Sequence, residues 1–323
     1  MKVTRRTVAD ISLLIIVNAM WAAQYAAYKV ALERMGAITV SAWPFLLSSI
    51  VLLPFLLWER KHSATSAPAR EAAAPSPPPG ERSLLRRKNL VGFLVISLFG
   101  LIPASVILAW GEDRSTASNA AIIYLTVPIS TAILASLILN ERMTAARWGS
   151  LFISLVGVLI LSSSDLRHLQ LISGKFLMGN LLVFVACMGS SFYNVYCKEL
   201  LRRFTPLEVL ICGYLLTFVG CVPFMVFAEH FTLASLRDYR LATWLALIIL
   251  SVFSWGLAMV LWMFLLKRLD VSQASVSIYL LPFLGVVIAA VTLHERITAS
   301  MIAGGMVTLA GTVLITSLDS SSA

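Results

Sequence analysis

The chain has 323 residues, of which 59% are hydrophobic and 13% charged, with a mean hydropathy of +0.87 and a formal net charge of +9. Such a composition excludes an ordinary water-soluble globule and makes lipid the expected solvent.

Ten long stretches carry no acidic or basic side chain. In chain order they are Ile11–Tyr28, Met35–Trp58, Asn89–Gly111, Ser115–Asn140, Trp148–Ser164, Phe176–Cys197, Val209–Ala228, Leu241–Leu266, Val271–Leu293 and Ile297–Leu318. Most reach the roughly 20 residues that a helix rising 1.5 Å per residue needs to cross a hydrocarbon core, so ten transmembrane helices are expected. A barrel would alternate apolar and polar residues over short segments, whereas these runs are apolar on nearly every side; the expected fold class is an all-α membrane protein. The connections are short except for residues 60–88, where Ala64–Gly80 is dominated by Ala, Pro and Ser. That segment has too little apolar surface to offset its ordering entropy and is expected to be a disordered cytoplasmic loop.

With the amino terminus inside and sides alternating after each span, inner loops hold seventeen of the 25 Lys and Arg residues and outer loops seven, with Lys29 in or beside a span. This positive-inside bias predicts cytoplasmic termini. It also accounts for the net charge as loops beside an anionic leaflet, and no nucleic-acid partner is expected. The first apolar run is followed by Lys29, Glu33 and Arg34 without a small-residue cleavage site, so the first helix is expected to be retained. Cys187, Cys197, Cys212 and Cys221 lack CxxC spacing and nearby histidines, which reads as buried packing; no metal site or cofactor is expected.

The sequence reads twice. IYLTVPISTAILASLILNERMT around Pro128 is echoed by SIYLLPFLGVVIAAVTLHERIT around Pro282. Pro128 and Glu141 keep the spacing of Pro282 and Glu295, Gly157 and Gly311 follow at one offset, and Lys29 and Pro54 keep the spacing of Lys198 and Pro223. Residues 1–164 and 165–323 are thus read as two copies of a five-helix unit. An odd number of spans makes the copies inverted, an arrangement suited to alternating access around a midplane site.

The LTVP to LNERMTAARWG segment, the LLP to LHERITASMIAGG segment and the helix with WAAQYAAYK carry a further likeness. With ten spans in two halves, the chain resembles EamA-type transporters of the drug/metabolite transporter superfamily over roughly residues 10–317. The resemblance implies a ten-helix bundle with a central cavity lined from both halves and the fifth and tenth helices at the periphery. Many relatives carry an arginine early in the second helix where this chain has Ala42, Trp43 and Pro44, so any role of that arginine does not carry over.

Asn18, Trp21, Tyr25, Tyr28 and Lys29 lie within about 100° of one another on the first helix, and Cys187, Ser190, Asn194, Cys197 and Lys198, with Tyr193 beside them, form the counterpart on the sixth. Polar groups facing lipid are costly, so both stripes are expected to face inward, as substrate contacts or as interhelical hydrogen bonds. Tyr25 and Asn194 are the leading substrate contacts. Lys29 reads either as a carboxylate attractant at a gate or as a snorkelling side chain, the reading its counterpart Lys198 supports. Pro128 and Pro282 free backbone carbonyls in mid-span and suggest gates, with Tyr124, Ser130, Ser275 and Tyr279 nearby. Glu141 and Glu295 precede Thr144 and Thr298, which can cap the fifth and tenth helices, and are assigned structural or gating roles. Trp255, Met259 and Trp262 form a stripe on the eighth helix, read as lipid-facing rather than as an aromatic wall. Gly157 and Gly311 suit close helix packing, within a monomer or across a homodimer.

The expected function is secondary transport of a small organic metabolite, amino acid-like, nucleoside-like or amphiphilic, in the direction of export across a bacterial cytoplasmic membrane. No GxxxxGK[ST] loop occurs, so ATP is not the direct energy source. Two rivals remain. An intramembrane enzyme would need catalytic pairs at membrane depth, where His62, His168, His230 and His294 do not lie; a sensor or scaffold would bind without flux.

Overall fold

The computed structural model describes residues 5–65, 87–163, 171, 174–293 and 298–318. Among them every regular element is helical. Among the described residues nine helices are long and apolar enough to cross a membrane, and Ala145–Leu161 is a shorter apolar tenth. They are α1 (Arg5–Leu32), α2 (Ala37–Thr65), α3 (Arg87–Ile96, continued by π turns Ser97–Leu101 and Pro103–Ile107 into Leu108–Asp113), α4 (Ala117–Tyr124 and Thr126–Ile138), α5 (Ala145–Leu161), α6 (Gly174–Leu201), α7 (Pro206–Ala228), α8 (Leu241–Ile249, the π segment Leu250–Ala258, and Met259–Arg268), α9 (Val271–Val276, the 3-10 turn Ser277–Tyr279, and Leu280–Leu293) and α10 (Ala299–Thr316). Most of the loop expected to be disordered, residues 66–86, lies outside the described residues.

Ion pairs and hydrogen bonds tie alternate helix ends together at one face. Arg268 at the end of α8 reaches Asp10 at the start of α1 (3.5 Å), and Arg60 on α2 reaches Glu208 at the start of α7 (2.8 Å). The start of α3 and the end of α6 share a cavity. Gln273 at the start of α9 donates to Ile315 and Leu318 carbonyls at the end of α10 (3.0 and 2.7 Å). This is the face to which the sequence assigns most cations, and it is called the basic face below. At the opposite face Tyr28 of α1 donates to the Ala37 carbonyl of α2 (3.2 Å), and Ser115 before α4 donates to Asn180 of α6 (2.6 Å).

α8 illustrates how an irregular segment is held. A π turn leaves carbonyls without their regular helical partners. Ser48 of α2 donates to the Ser251 carbonyl (2.7 Å) and Tyr214 of α7 to the Trp255 carbonyl (2.9 Å), pinning the segment between two helices.

α5 and α10 cross closely and antiparallel. Ser154 Oγ donates to the Thr308 carbonyl (3.3 Å) and Thr308 Oγ1 to the Ser154 carbonyl (3.4 Å), a reciprocal pair separated by 154 residues. A Cβ on Gly304 would stand 2.5 Å from the Gly157 carbonyl and the Leu161 amide nitrogen, and one on Gly311 would meet Ser154. The small faces are therefore consumed within one chain. Gly304→Ala is expected to cost about 1–3 kcal/mol by forcing the helices apart; an unchanged melting temperature in detergent would contradict that tight crossing.

Candidate functional site

The centre of the bundle is built where α4 and α9 break. Pro128 and Pro282 lack an amide donor, and each helix loses its regular path about three residues earlier, at Leu125 and at Ser277–Tyr279. Carbonyls around the α4 break are then taken up by side chains: Ile123 by Thr126 Oγ1 (2.7 Å), Leu125 by the Tyr279 hydroxyl (2.8 Å) and Val127 by Ser191 Oγ (3.1 Å). The Tyr279 bond again spans 154 residues and joins the two breaks directly.

Against these breaks lie α1, α6 and α8. Asn18 is fully buried; its Nδ2 donates to the Leu14 carbonyl (2.8 Å) and to Ser277 Oγ (2.9 Å), while its Oδ1 has no hydrogen-bond partner among the described residues. One turn on, the Trp21 ring meets Trp262 at 5.2 Å between centroids, and Trp262 Nε1 donates to Asn194 Oδ1 (3.1 Å). The site thus offers indole faces beside a buried amide oxygen that lacks a donor.

At the basic face a second constellation closes the bundle. Asn140 adopts a left-handed conformation (φ 58°), and the Glu141 amide donates back to the Ala135 carbonyl (3.3 Å), a left-handed helix ending that turns Glu141 away from its own helix. Its carboxylate accepts from Val271 N (2.7 Å), Ser272 N (3.0 Å) and Ser272 Oγ (2.7 Å), satisfying amides at the start of α9 where the helix dipole favours an anion. Lys198 Nζ donates to the Leu269 carbonyl (2.7 Å) and lies 3.6 Å from both Glu141 and Asp270. Arg147 binds Asp270 at 2.7 Å, with the two side chains 2% and 0% exposed. Two carboxylates and two cations therefore join α4, α5, α6 and α9 away from water.

The opposite face repeats the capping arrangement. Glu229 accepts from Ile38 N (2.7 Å), Thr39 N (2.8 Å) and Thr39 Oγ1 (2.6 Å) at the start of α2. Nearby, Trp43 and Trp244 meet at 6.5 Å and Tyr239 packs on Trp244. Burial pushes the Tyr239 phenol above its ordinary pKa, and the Glu229 charge adds to this.

Of the residues singled out in the sequence, Asn18, Trp21 and Asn194 converge with Ser277 and Trp262. Tyr193 is buried with its Cβ toward Gly100 of α3. Ser275 is buried and donates to the Ser272 carbonyl (3.1 Å); Ser190 is partly buried; Tyr124 packs with Ile123, Met188 and Ile278. Lys29 is exposed in the last turn of α1. The side chain of Tyr25 and all of Glu295 lie outside the described residues. Thr144 and Thr298 do cap α5 and α10, accepting from Arg147 N and Met301 N.

Three readings change. The Trp255, Met259 and Trp262 stripe does not face lipid: Trp262 is 0% and Met259 4% exposed, because an all-apolar helix gives no outward face to read. Lys198 does not snorkel, since buried carboxylates draw it inward. Glu141 serves the start of α9 and not the α5 end beside it. Asp270, Arg147 and Glu229 were missed; Asp270 immediately before Val271 and a Gln three residues later is a capping-box signal that could have marked it.

The sequence pattern of the EamA-like transporter family matches residues 9–163 and 177–317. The chain is 21% identical over 298 residues to the uncharacterized transporter YoaV of Bacillus subtilis (strain 168), covering 92% of this chain and 93% of that protein. It is 25% identical over 305 residues to a protein of Streptantibioticus cattleyicolor named as a probable terminal-alkyne amino-acid exporter, covering 94% and 91%. A protein crystal structure superposes with a TM-score of 0.71 at 16% identity, covering 95% of this chain and 96% of that one, which is a likeness of fold. With both matches spread across the same apolar helices that build the central site, the chain belongs to the EamA-like transporter family and is a multi-pass membrane protein.

Proposed function

We propose that this protein is a secondary transporter that exports a small organic molecule by alternating access, with both termini in the cytoplasm and two inverted five-helix repeats. The observation that carries the reading is the direct bond between the two proline breaks, from Tyr279 of α9 to the Leu125 carbonyl of α4 (2.8 Å), at the offset that also relates Ser154 and Thr308. Contacts between equivalent residues support a pseudo-two-fold axis between the halves, the symmetry of inverted repeats. The equivalent arms differ in their surroundings. Residues 271–277 of α9 are all buried over the charge cluster, whereas among the equivalent residues 118–123 of α4 only Asn119 and Ala120 are buried. That asymmetry supports a state closed toward the basic face and open toward the other.

The substrate class follows from the centre. Indole faces and an amide oxygen without a donor suit an apolar molecule bearing an N–H or ammonium group, as in amino acid-like or amphiphilic compounds. The related protein named as an amino-acid exporter is compatible with this. Purified protein in liposomes should exchange at least one member of a panel of amino acids, nucleosides and amphiphilic amines; binding without flux would identify a sensor instead. Asn18→Ala is expected to weaken apparent affinity roughly tenfold, the value of one hydrogen bond of about 1.4 kcal/mol. Transport of the whole panel at the rate of empty liposomes would overturn the assignment.

A further inference from the structure

A separate cavity of about 170 Å³ opens at the basic face between the start of α3 and the end of α6. Its lining includes Asn89, Gly92, Tyr196, Glu199, Arg203 and Phe204. It falls below the roughly 300 Å³ at which metabolite pockets begin, so it suits a headgroup and not a whole substrate. Its charge is unbalanced. The Glu199 carboxylate is engaged by Arg202 at 2.7 Å, leaving Arg203, which also lines the cavity, without an ion pair among the described residues. The Tyr196 hydroxyl likewise lines the cavity without a hydrogen bond among those residues, and in sequence Arg86, Arg87 and Lys88 directly precede Asn89.

An apolar track leaves the cavity toward mid-membrane. Tyr196 stacks on Phe192 one turn deeper (5.3 Å, 17°), and Phe192 meets Phe99 of α3 edge-on at 6.3 Å. Phe99 is 62% exposed on the outer surface of the bundle. A free anion would use the donors and ignore this track; a lipid uses both.

We propose that the α3–α6 seam binds one anionic phospholipid, its phosphodiester held by Arg203 and the Tyr196 hydroxyl and an acyl chain lying along Phe192 and Phe99. A guanidinium suits phosphate oxygens, and cytoplasmic leaflets supply anionic lipids to basic pockets between helices. The site is independent of the transported substrate.

Detergent-solubilised full-length protein titrated with phosphatidylglycerol, and read by native mass spectrometry, tests this. One lipid per chain is expected, with phosphatidylcholine of the same chain length bound roughly tenfold more weakly. Arg203→Gln should weaken phosphatidylglycerol binding roughly tenfold and Tyr196→Phe, which keeps the stacked ring, by a smaller factor. Lys267→Gln, a cation on the same face but outside the cavity, should bind as wild type. Wild-type affinity in both cavity variants, eluting as folded protein, would overturn the proposal. So would displacement of the lipid by millimolar inorganic phosphate, which would mark a site for the free anion.

Discussion

Arg147→Met is expected to destabilise the protein by about 3–5 kcal/mol, because it leaves the Asp270 carboxylate buried without its closest cation. Asp270 is 0% exposed, and Lys198, at 3.6 Å, is shared with Glu141. The effect should appear as a lower melting temperature in detergent, followed by tryptophan fluorescence. The double variant Arg147→Met/Asp270→Leu separates charge from packing: removing both partners with apolar groups of similar size should recover much of the loss. If the single variant melts with the wild type, the pair does not hold the start of α5 to the start of α9. In the alternating-access carrier proposed above, opening toward the basic face parts α4 and α9 where Glu141 bridges them. Glu141→Gln keeps the side-chain shape while weakening both the cap and the Lys198 contact, and should therefore shift a carrier toward the state open at that face, seen as greater labelling of a cysteine placed at Ser275.

Trp262→Ala is the second large effect, also expected at about 3–5 kcal/mol from lost burial and the cavity left behind. Trp262 is among the largest fully buried side chains, touches Trp21 and satisfies Asn194. Trp262→Phe divides these roles. It retains a ring against Trp21 but leaves Asn194 Oδ1 without its donor, a cost of about 1–3 kcal/mol. Transport should fall in both variants, with stability falling further in the alanine. Stability equal to wild type in Trp262→Ala would mean that this indole faces lipid after all.

Features that depend on neighbours in the chain were legible. Thr144 and Thr298 were identified as caps because a cap is made within three residues of its helix. The breaks near Pro128 and Pro282 were legible because proline removes a donor wherever it stands. Asn18 and Asn194 stood out because an amide in an apolar helix needs an inward partner.

Sequence by itself therefore determined the solvent, the helices and their local ends, all consequences of hydropathy, capping and proline chemistry acting over a few residues. Tertiary structure decided which partners those residues found. Glu141 reaches an amide 130 residues away, and Lys198 a carbonyl 71 residues away; no local rule selects such distant partners. Trp262 was misassigned for the same reason: when every side of a helix is apolar, periodicity carries no information about which side faces protein, and only the packing of α1 and α6 against α8 turns that indole inward.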